Sequence, residues 1–233
     1  MALVANGLAR RIAVAVVVSS LLAPLACGQG RHPVSGRRIA GVMGVAGADW
    51  LVRPERTLEE NPEQAVRMLG LKPGMTVADV GAGVGYYSLK LAAGVGPTGK
   101  VYATDIQPGM IERLRANIAK AGAKNIEPVL STEASTGLAD NSIDLMILVD
   151  VYHEFAQPRP MLQALKRALK PDGRLVLLEF RKEDPKVPIR EEHKMSVAEA
   201  KAELEADGFV LDKVLNDLPW QHMMFFRKAG GAR

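Results

Sequence analysis

The stretch Val77-Ala-Asp-Val-Gly-Ala-Gly-Val-Gly85 decides how this chain of 233 residues folds. Its first four residues suit a short buried strand, and glycines then occupy every second position. Because glycine lacks a Cβ atom, such a segment can turn sharply and bring its backbone close to a ligand. A helical pattern follows from Tyr86 to Ala93. The stretch therefore predicts a strand, a ligand-binding turn and a helix, in this order.

Strands and helices alternate along the rest of the chain. Helical patterns with stop signals or caps begin near Pro62, Met110, Met161 and Ser196, the last with the capping box Ser196-Val-Ala-Glu199. Strands are predicted over 76–80, 100–104, 126–130, 145–149 and 175–180. This alternation indicates a mostly parallel sheet covered on both faces, an α/β doubly wound, Rossmann-like fold. Two further strands, 210–215 and 223–227, are predicted to close one edge as an antiparallel pair.

A second acidic position narrows the type of ligand. Asp105 ends the predicted second strand, twenty residues after Gly85, where a carboxylate can accept both hydroxyls of a ribose. A dinucleotide-binding turn needs a small residue where this chain has Tyr86, and Asp79 would repel a pyrophosphate. Asp79 suits a ligand with an ammonium group instead.

At this point the sequence resembles the class I S-adenosylmethionine-dependent methyltransferases. The resemblance covers roughly residues 71–180, and the closest type is the ubiquinone/menaquinone small-molecule methyltransferase. Four motifs occur in the family's order: Asp79 to Gly85, Asp105, Asp140-Asn-Ser-Ile-Asp144 and Leu169-Lys-Pro-Asp-Gly-Arg-Leu175. The resemblance implies a seven-stranded sheet with an antiparallel last strand, and S-adenosylmethionine as cofactor.

The resemblance also implies roles for individual residues. Gly81, Gly83 and Gly85 would face the methionine part of the cofactor, and Asp79 would contact its amino group. Asp105 would bind the ribose and Ile106 would pack on the adenine. Two more residues are assigned to the cofactor, Glu133 in place of the family's usual aspartate and Asp150 at the end of strand four. The alternative is a set of turn glycines and a strand-end aspartate in an α/β protein that binds no such ligand.

Strand four runs into Asp150-Val-Tyr-His-Glu154, beside the position of the methyl group in this fold. We predict His153 as a general base, with Glu154 orienting it or binding the substrate. The alternative is that both residues only begin the next helix, since methyl transfer often needs no more than proximity and alignment.

Other residues are candidates for the substrate pocket. Trp50, Arg53 and Arg56 precede the first helix, where this family often has a lid, and the arginines suit an anionic substrate. Tyr152 and Trp220 are further candidates, although Trp220 also suits core packing. His153, His193 and His222 share no spacing typical of metal ligands, so no metal site is predicted.

Composition and missing motifs exclude several classes. The chain has 48% hydrophobic and 24% charged residues, as a globular protein does, and its net charge of +4 is too small and scattered for a nucleic-acid surface. The single cysteine, Cys27, precedes the domain, so pyrimidine C5 methylation through a thiol is excluded. The Asn/Asp-Pro-Pro-aromatic motif of amide and amine methylators is absent after strand four.

The N-terminus has the parts of a secretory signal. Arg10 and Arg11 precede an apolar run too short to span a membrane, which ends in small residues around Cys27. We predict a signal peptide over 1–28, with Cys27 either lipidated as a membrane tether or removed by cleavage after Gly28. A misassigned start codon, and hence a cytoplasmic protein, is the alternative. A linker or flexible arm follows over 29–49, and the methyltransferase domain spans 50–230.

These observations predict methyl transfer from S-adenosylmethionine to a small molecule, without nucleic-acid partners. The alternative function is an exported protein that binds a ligand or partner on the same fold without catalysis. A nicotinamide-dependent oxidoreductase is disfavoured by Tyr86.

Overall fold

The computed structural model describes residues 30–230. The predicted signal peptide and Cys27 lie outside these residues. Among the helices of the described part, none has the length and apolar character needed to cross a membrane.

One mixed sheet forms the centre of the molecule. Its strands are β1 Thr76–Val80, β2 Lys100–Asp105, β3 Ile126–Leu130, β4 Ile143–Val149, β5 Leu169–Arg181, β6 Lys194–Met195, β7 Phe209–Leu215 and β8 Gln221–Lys228. The order across the sheet is β3-β2-β1-β4-β5-β8-β7, and β6 pairs with β5. Strand β8 runs antiparallel to both of its neighbours, β5 and β7, and the other strand pairs are parallel. The predicted doubly wound, mostly parallel α/β fold with an antiparallel last strand is therefore confirmed.

The sheet differs from the prediction in two details. It has an eighth strand, β6, because Lys194 and Met195 pair with Phe180 and Arg181. Strand β5 begins at Leu169, before the predicted start at 175, since Leu169 pairs with Ile143 before the register shifts. A Cβ on Gly173 would lie 2.8 Å from the carbonyl oxygen of Ile143, so this irregular start of the strand requires glycine.

Helices cover both faces of the sheet. They are α1 Arg56–Glu60, α2 Pro62–Met68, α3 Tyr86–Val95, α4 Pro108–Ala121, α5 Pro158–Ala168 and α6 Val197–Ala206. Apolar residues of α2, α3 and α4 form one buried cluster with the sheet, and those of α5 and α6 form a second cluster on the other face. The capping box predicted for α6 is present, with reciprocal hydrogen bonds between Ser196 and Glu199.

The segment before the domain differs in character from the expected linker or flexible arm over 29–49. His32 and Arg37 are buried, and Arg37 forms an ion pair with the buried Glu203 of α6 at 2.8 Å. Arg37 Nη1 and the backbone N–H of Ala40 also donate to the carbonyl oxygen of His153, at 2.9 and 3.1 Å. Polar contacts with distant residues hold this segment in place. Contacts of this kind leave no periodic pattern in the sequence of the segment itself. A 3-10 helix, Val45–Val52, then leads to α1.

Candidate functional site

A cavity of about 340 Å³ lies at the carboxyl ends of the central parallel strands, where ligands bind in open α/β sheets. Six of the residues assigned to the cofactor border it: Gly81, Gly83, Asp105, Ile106, Glu133 and Asp150. Four of the residues assigned to the reaction or the substrate also border it: Trp50, Arg56, His153 and Glu154. The structure therefore brings most of the predicted site residues to one place.

The glycine turn requires residues without a side chain. Gly81 and Gly83 have φ angles of 73° and 54°, in the left-handed region. A Cβ on Gly81 would lie 2.6 Å from both Cγ atoms of Val151, and one on Gly83 would lie 2.7 Å from Leu51. Gly85, with φ of 88°, is the N-cap residue of α3, and a Cβ there would overlap Leu114 rather than enter the cavity. The turn is thus a bare backbone surface on the cavity side.

Asp105 is fixed by this same turn. Its Oδ2 accepts a hydrogen bond from the backbone N–H of Gly83 at 3.0 Å, and its Oδ1 accepts one from that of Gln107 at 2.8 Å. Burial raises the pKa of Asp105, while these backbone donors and that of Ile106 act in the opposite direction. The carboxylate therefore has a set orientation at the cavity wall. Glu133, in contrast, is exposed and accepts from Gln157 at 3.1 Å.

Asp79 lies behind the turn and does not border the cavity. It is 2% exposed, and its carboxylate accepts a hydrogen bond from Ser88 Oγ at 2.6 Å. Burial raises its pKa to about 6. The structure therefore does not place it for direct contact with a ligand ammonium group.

Asp150 offers a carboxylate on the cavity side instead. It follows β4 with φ of 53°, and its Oδ2 accepts from Gln221 Nε2 at 2.7 Å. Its Oδ1 is buried and has no hydrogen-bond partner among the described residues. Burial, followed by the charges of Glu60 and Glu179, raises the pKa of Asp150 well above its usual range. An unpartnered buried oxygen of this kind is normally satisfied by a ligand or water.

His153 is held in one orientation. Its side chain is buried, and its Nδ1 lies 2.6 Å from Oε2 of the fully buried Glu179 on β5. The other oxygen of Glu179 accepts from the backbone N–H of Tyr152 at 3.0 Å. His153 Nε2 then lies 3.1 Å from Nδ1 of His193. A carboxylate that fixes one ring nitrogen leaves the other nitrogen available for a proton or a metal ion.

Glu154 and His193 complete this corner. Glu154 Oε1 lies 4.0 Å from His153 Nε2 and 3.9 Å from His193 Nδ1. Burial raises the pKa of Glu154 to about 7. Burial and the neighbouring His153 lower the pKa of His193. His222 is not part of this group; it is buried on β8, opposite Glu179 of β5.

The two arginines before and within α1 have different positions. The guanidinium carbon of Arg53 lies 3.5 Å from the ring centroid of Trp50, and the guanidinium forms ion pairs with Glu59 and Glu60. Arg53 does not border the cavity. Arg56 does border it, and its guanidinium is held by the buried Glu60 at 2.6 Å. A contact between Arg53 and a substrate in the cavity is thus not supported, because its charge is already engaged by two carboxylates.

Tyr152 and Trp220 also lie away from the cavity. Tyr152 is fully buried in the core and its hydroxyl faces His32 at 3.4 Å. Trp220 packs near Phe180, with ring centroids 6.5 Å apart, and its backbone N–H donates to the carbonyl oxygen of Glu59. Both side chains therefore pack against other protein residues and not against the cavity. For Trp220, core packing was the alternative stated above.

Sequence reasoning missed Glu179 and Gln221, which fix His153 and Asp150. Glu179 carried a visible signal, because it is the one charged residue within the otherwise apolar stretch Leu175–Phe180. Such a residue in a central strand needs a partner when buried. Gln221 carried no comparable signal.

The residues present fit S-adenosylmethionine. The turn leaves no room for side chains, Asp105 is oriented by backbone donors, and Asp150 keeps a buried oxygen unpartnered. Comparison with known proteins agrees, since a family model described as "Methyltransferase domain" matches residues 71–223. The chain belongs to this methyltransferase family.

Two curated relatives and one solved structure show how far the similarity extends. The ubiquinone/menaquinone biosynthesis C-methyltransferase of Ectopseudomonas mendocina is 32% identical over 118 residues, which are 50% of this chain and 46% of that protein. The arsenite methyltransferase of Halobacterium salinarum is 34% identical over 107 residues, 46% of this chain and 27% of that protein. The matches thus span less than half of either relative.

The solved structure is similar over more of its length. A SAM-dependent methyltransferase from Aquifex aeolicus has a TM-score of 0.75 and 32% identity, over 79% of this chain and 98% of that one. The family and this structure indicate S-adenosylmethionine as the cofactor of the chain, as the sequence predicted.

Proposed function

We propose that this protein transfers the methyl group of S-adenosylmethionine to a small-molecule acceptor. One observation carries the proposal: a single cavity joins the glycine turn and Asp105 with the corner formed by His153, Glu154 and His193. S-adenosylmethionine, when bound, supplies an electrophilic methyl group on a positively charged sulfur. Cofactor and acceptor residues on one cavity give the proximity that methyl transfer requires.

Each side chain on the cofactor side has a role in this proposal. Asp105 accepts hydrogen bonds from the ribose hydroxyls, since backbone donors hold its carboxylate in place. Ile106 packs on the adenine. Asp150 accepts a hydrogen bond from the ammonium group of the methionine part, because its Oδ1 lacks a partner among the described residues and Asp79 does not border the cavity. A cation beside Asp150 also offsets the cost of burying its charge.

The acceptor side favours a small substrate. The cavity wall there includes Phe155, Phe180 and Ile189 beside the two histidines, a mainly apolar surface with few polar groups, as in small-molecule sites. The relatives named above methylate carbon or arsenite according to their names. We therefore propose an apolar or uncharged acceptor whose nucleophilic atom is oxygen, carbon or a soft centre such as sulfur or arsenic.

Calorimetry with S-adenosylhomocysteine tests the cofactor site. We expect one binding site in the wild type and a loss of affinity of about 10- to 100-fold in Asp105→Ala, the size of a hydrogen bond to a charged group. Asp140→Ala is the matched control, because Asp140 is an exposed carboxylate of β4's preceding loop. Absence of binding to the wild type, or equal affinities of all three proteins, would contradict the proposal.

Export through residues 1–28 remains a separate proposal from the sequence. Fractionation of cells and sequencing of the mature N-terminus test it. A mature chain that begins at Cys27 or after Gly28 supports export, and an intact cytoplasmic chain contradicts it.

A further inference from the structure

Three side chains from two segments converge at one end of the cavity. They are His153 and Glu154 after β4, and His193 of the 3-10 helix Glu191–His193. Their ligand atoms form a triangle with sides of 3.1, 3.9 and 4.0 Å. The point equidistant from the three atoms lies about 2.1 Å from each, within the range of zinc–nitrogen and zinc–oxygen bonds.

The surroundings prepare His153 for such a bond. Glu179 Oε2 lies 2.6 Å from Nδ1, which favours the tautomer with the proton on Nδ1 and the lone pair on Nε2, the nitrogen that faces His193. This is the carboxylate–histidine arrangement that supports metal-binding histidines in proteins. The backbone is fixed as well, because the carbonyl oxygen of His153 accepts from both Arg37 and Ala40.

We propose that His153 Nε2, His193 Nδ1 and Glu154 Oε1 bind a divalent transition-metal ion of the zinc type. Two imidazoles and one carboxylate are a ligand set of catalytic zinc sites, which keep a further position open. Magnesium and calcium prefer sites made of oxygen ligands alone. All three residues border the cavity, so the open position faces it.

An ion at this place would act on the acceptor. Its three ligands border the same cavity as Asp105, where the ion would bind a hydroxyl or thiol of the acceptor and lower its pKa. This role rests on the proposed function, whereas the binding of the ion does not. The histidine that the sequence suggests as a general base would then position the acceptor through the metal.

Metal titration of the untagged, chelator-treated protein tests the site without any cofactor. We expect one Zn²⁺ per chain by calorimetry, and visible absorption bands of bound Co²⁺ at the same stoichiometry. His193→Ala and Glu154→Gln should abolish this binding, and His193 is exposed enough for its substitution to leave the fold intact, as circular dichroism will show. Glu179→Gln should weaken it about 10- to 100-fold, the usual effect of removing a supporting carboxylate.

Two controls locate the ion. Glu192→Gln removes the carboxylate next to His193 that is outside the group, and Cys27→Ser removes the single thiol; both should bind as the wild type does. Failure of Zn²⁺ and Co²⁺ to bind, or binding that survives His193→Ala or is lost in Cys27→Ser, would overturn the proposal. Titration of S-adenosylhomocysteine into the same proteins is independent, so failure of the cofactor site is distinguished from failure of the metal site.

Discussion

Alanine at Gly81 gives a quantitative test of the glycine turn, because Gly122 offers a matched control. Both residues have left-handed backbones, with φ of 73° and 65°. A Cβ on Gly81 would lie 2.6 Å from both Cγ atoms of Val151, whereas one on Gly122 would meet no atom within 4 Å. The left-handed conformation alone costs an alanine about 1–2 kcal/mol. Overlap with a branched side chain adds about 1–3 kcal/mol at Gly81 only.

We therefore expect Gly122→Ala to lower the free energy of unfolding by about 1–2 kcal/mol and Gly81→Ala by about 2–5 kcal/mol. Urea unfolding followed by circular dichroism measures both values. Val151→Ala should cost less in the Gly81→Ala background than in the wild type, because it removes the overlapping atoms, and a double-mutant cycle measures this coupling. Equal losses for the two glycine variants, together with no coupling to Val151, would refute the reasoning.

Three further predictions concern the surroundings of the site. Arg37→Met should lower the free energy of unfolding by about 3–5 kcal/mol, because it leaves the buried Glu203 without its cation. A loss below about 1 kcal/mol in urea unfolding would contradict the ion pair that holds the segment around Arg37 against α6. Asp79 has a folded pKa of about 6 against 3.8 ordinarily, so its stabilising contribution is present below pH 3.8 and is lost as the pH rises through about 6. The unfolding free energy of the wild type relative to Asp79→Asn should thus fall by about 2 kcal/mol from pH 4 to pH 7, and parallel pH profiles would count against a buried carboxyl. Tyr152→Phe should leave the affinity for S-adenosylhomocysteine unchanged, since Tyr152 does not border the cavity; calorimetry that shows a large loss would place it at the site.

The fold could be predicted because the central strands have a strong local signal. Strands β1 and β3 have the predicted bounds, and β2, β4, β7 and β8 differ by one or two residues at an end. The beginning of β5 and the two-residue β6 were missed for a physical reason. They exist through pairing with Ile143 and with Phe180, and such pairing leaves no periodic pattern in the segment itself.

The two sides of the site were predictable to different extents. The cofactor side depends on residues that follow successive strands, so the spacing along the chain was sufficient to predict that Gly81, Gly83 and Asp105 border one cavity. The other side depends on contacts between distant residues. Glu179 and His193 lie 26 and 40 residues from His153 in the sequence, and only the sheet order and the loop after β5 bring them together.

A crystal structure of the protein with S-adenosylhomocysteine is the most direct test of the central claim. We predict that the ribose hydroxyls lie on Asp105, that the amino group lies on Asp150, and that the sulfur faces the corner of His153, Glu154 and His193. A ligand bound outside this cavity, or bound within it without contact to Asp105, would contradict the claim.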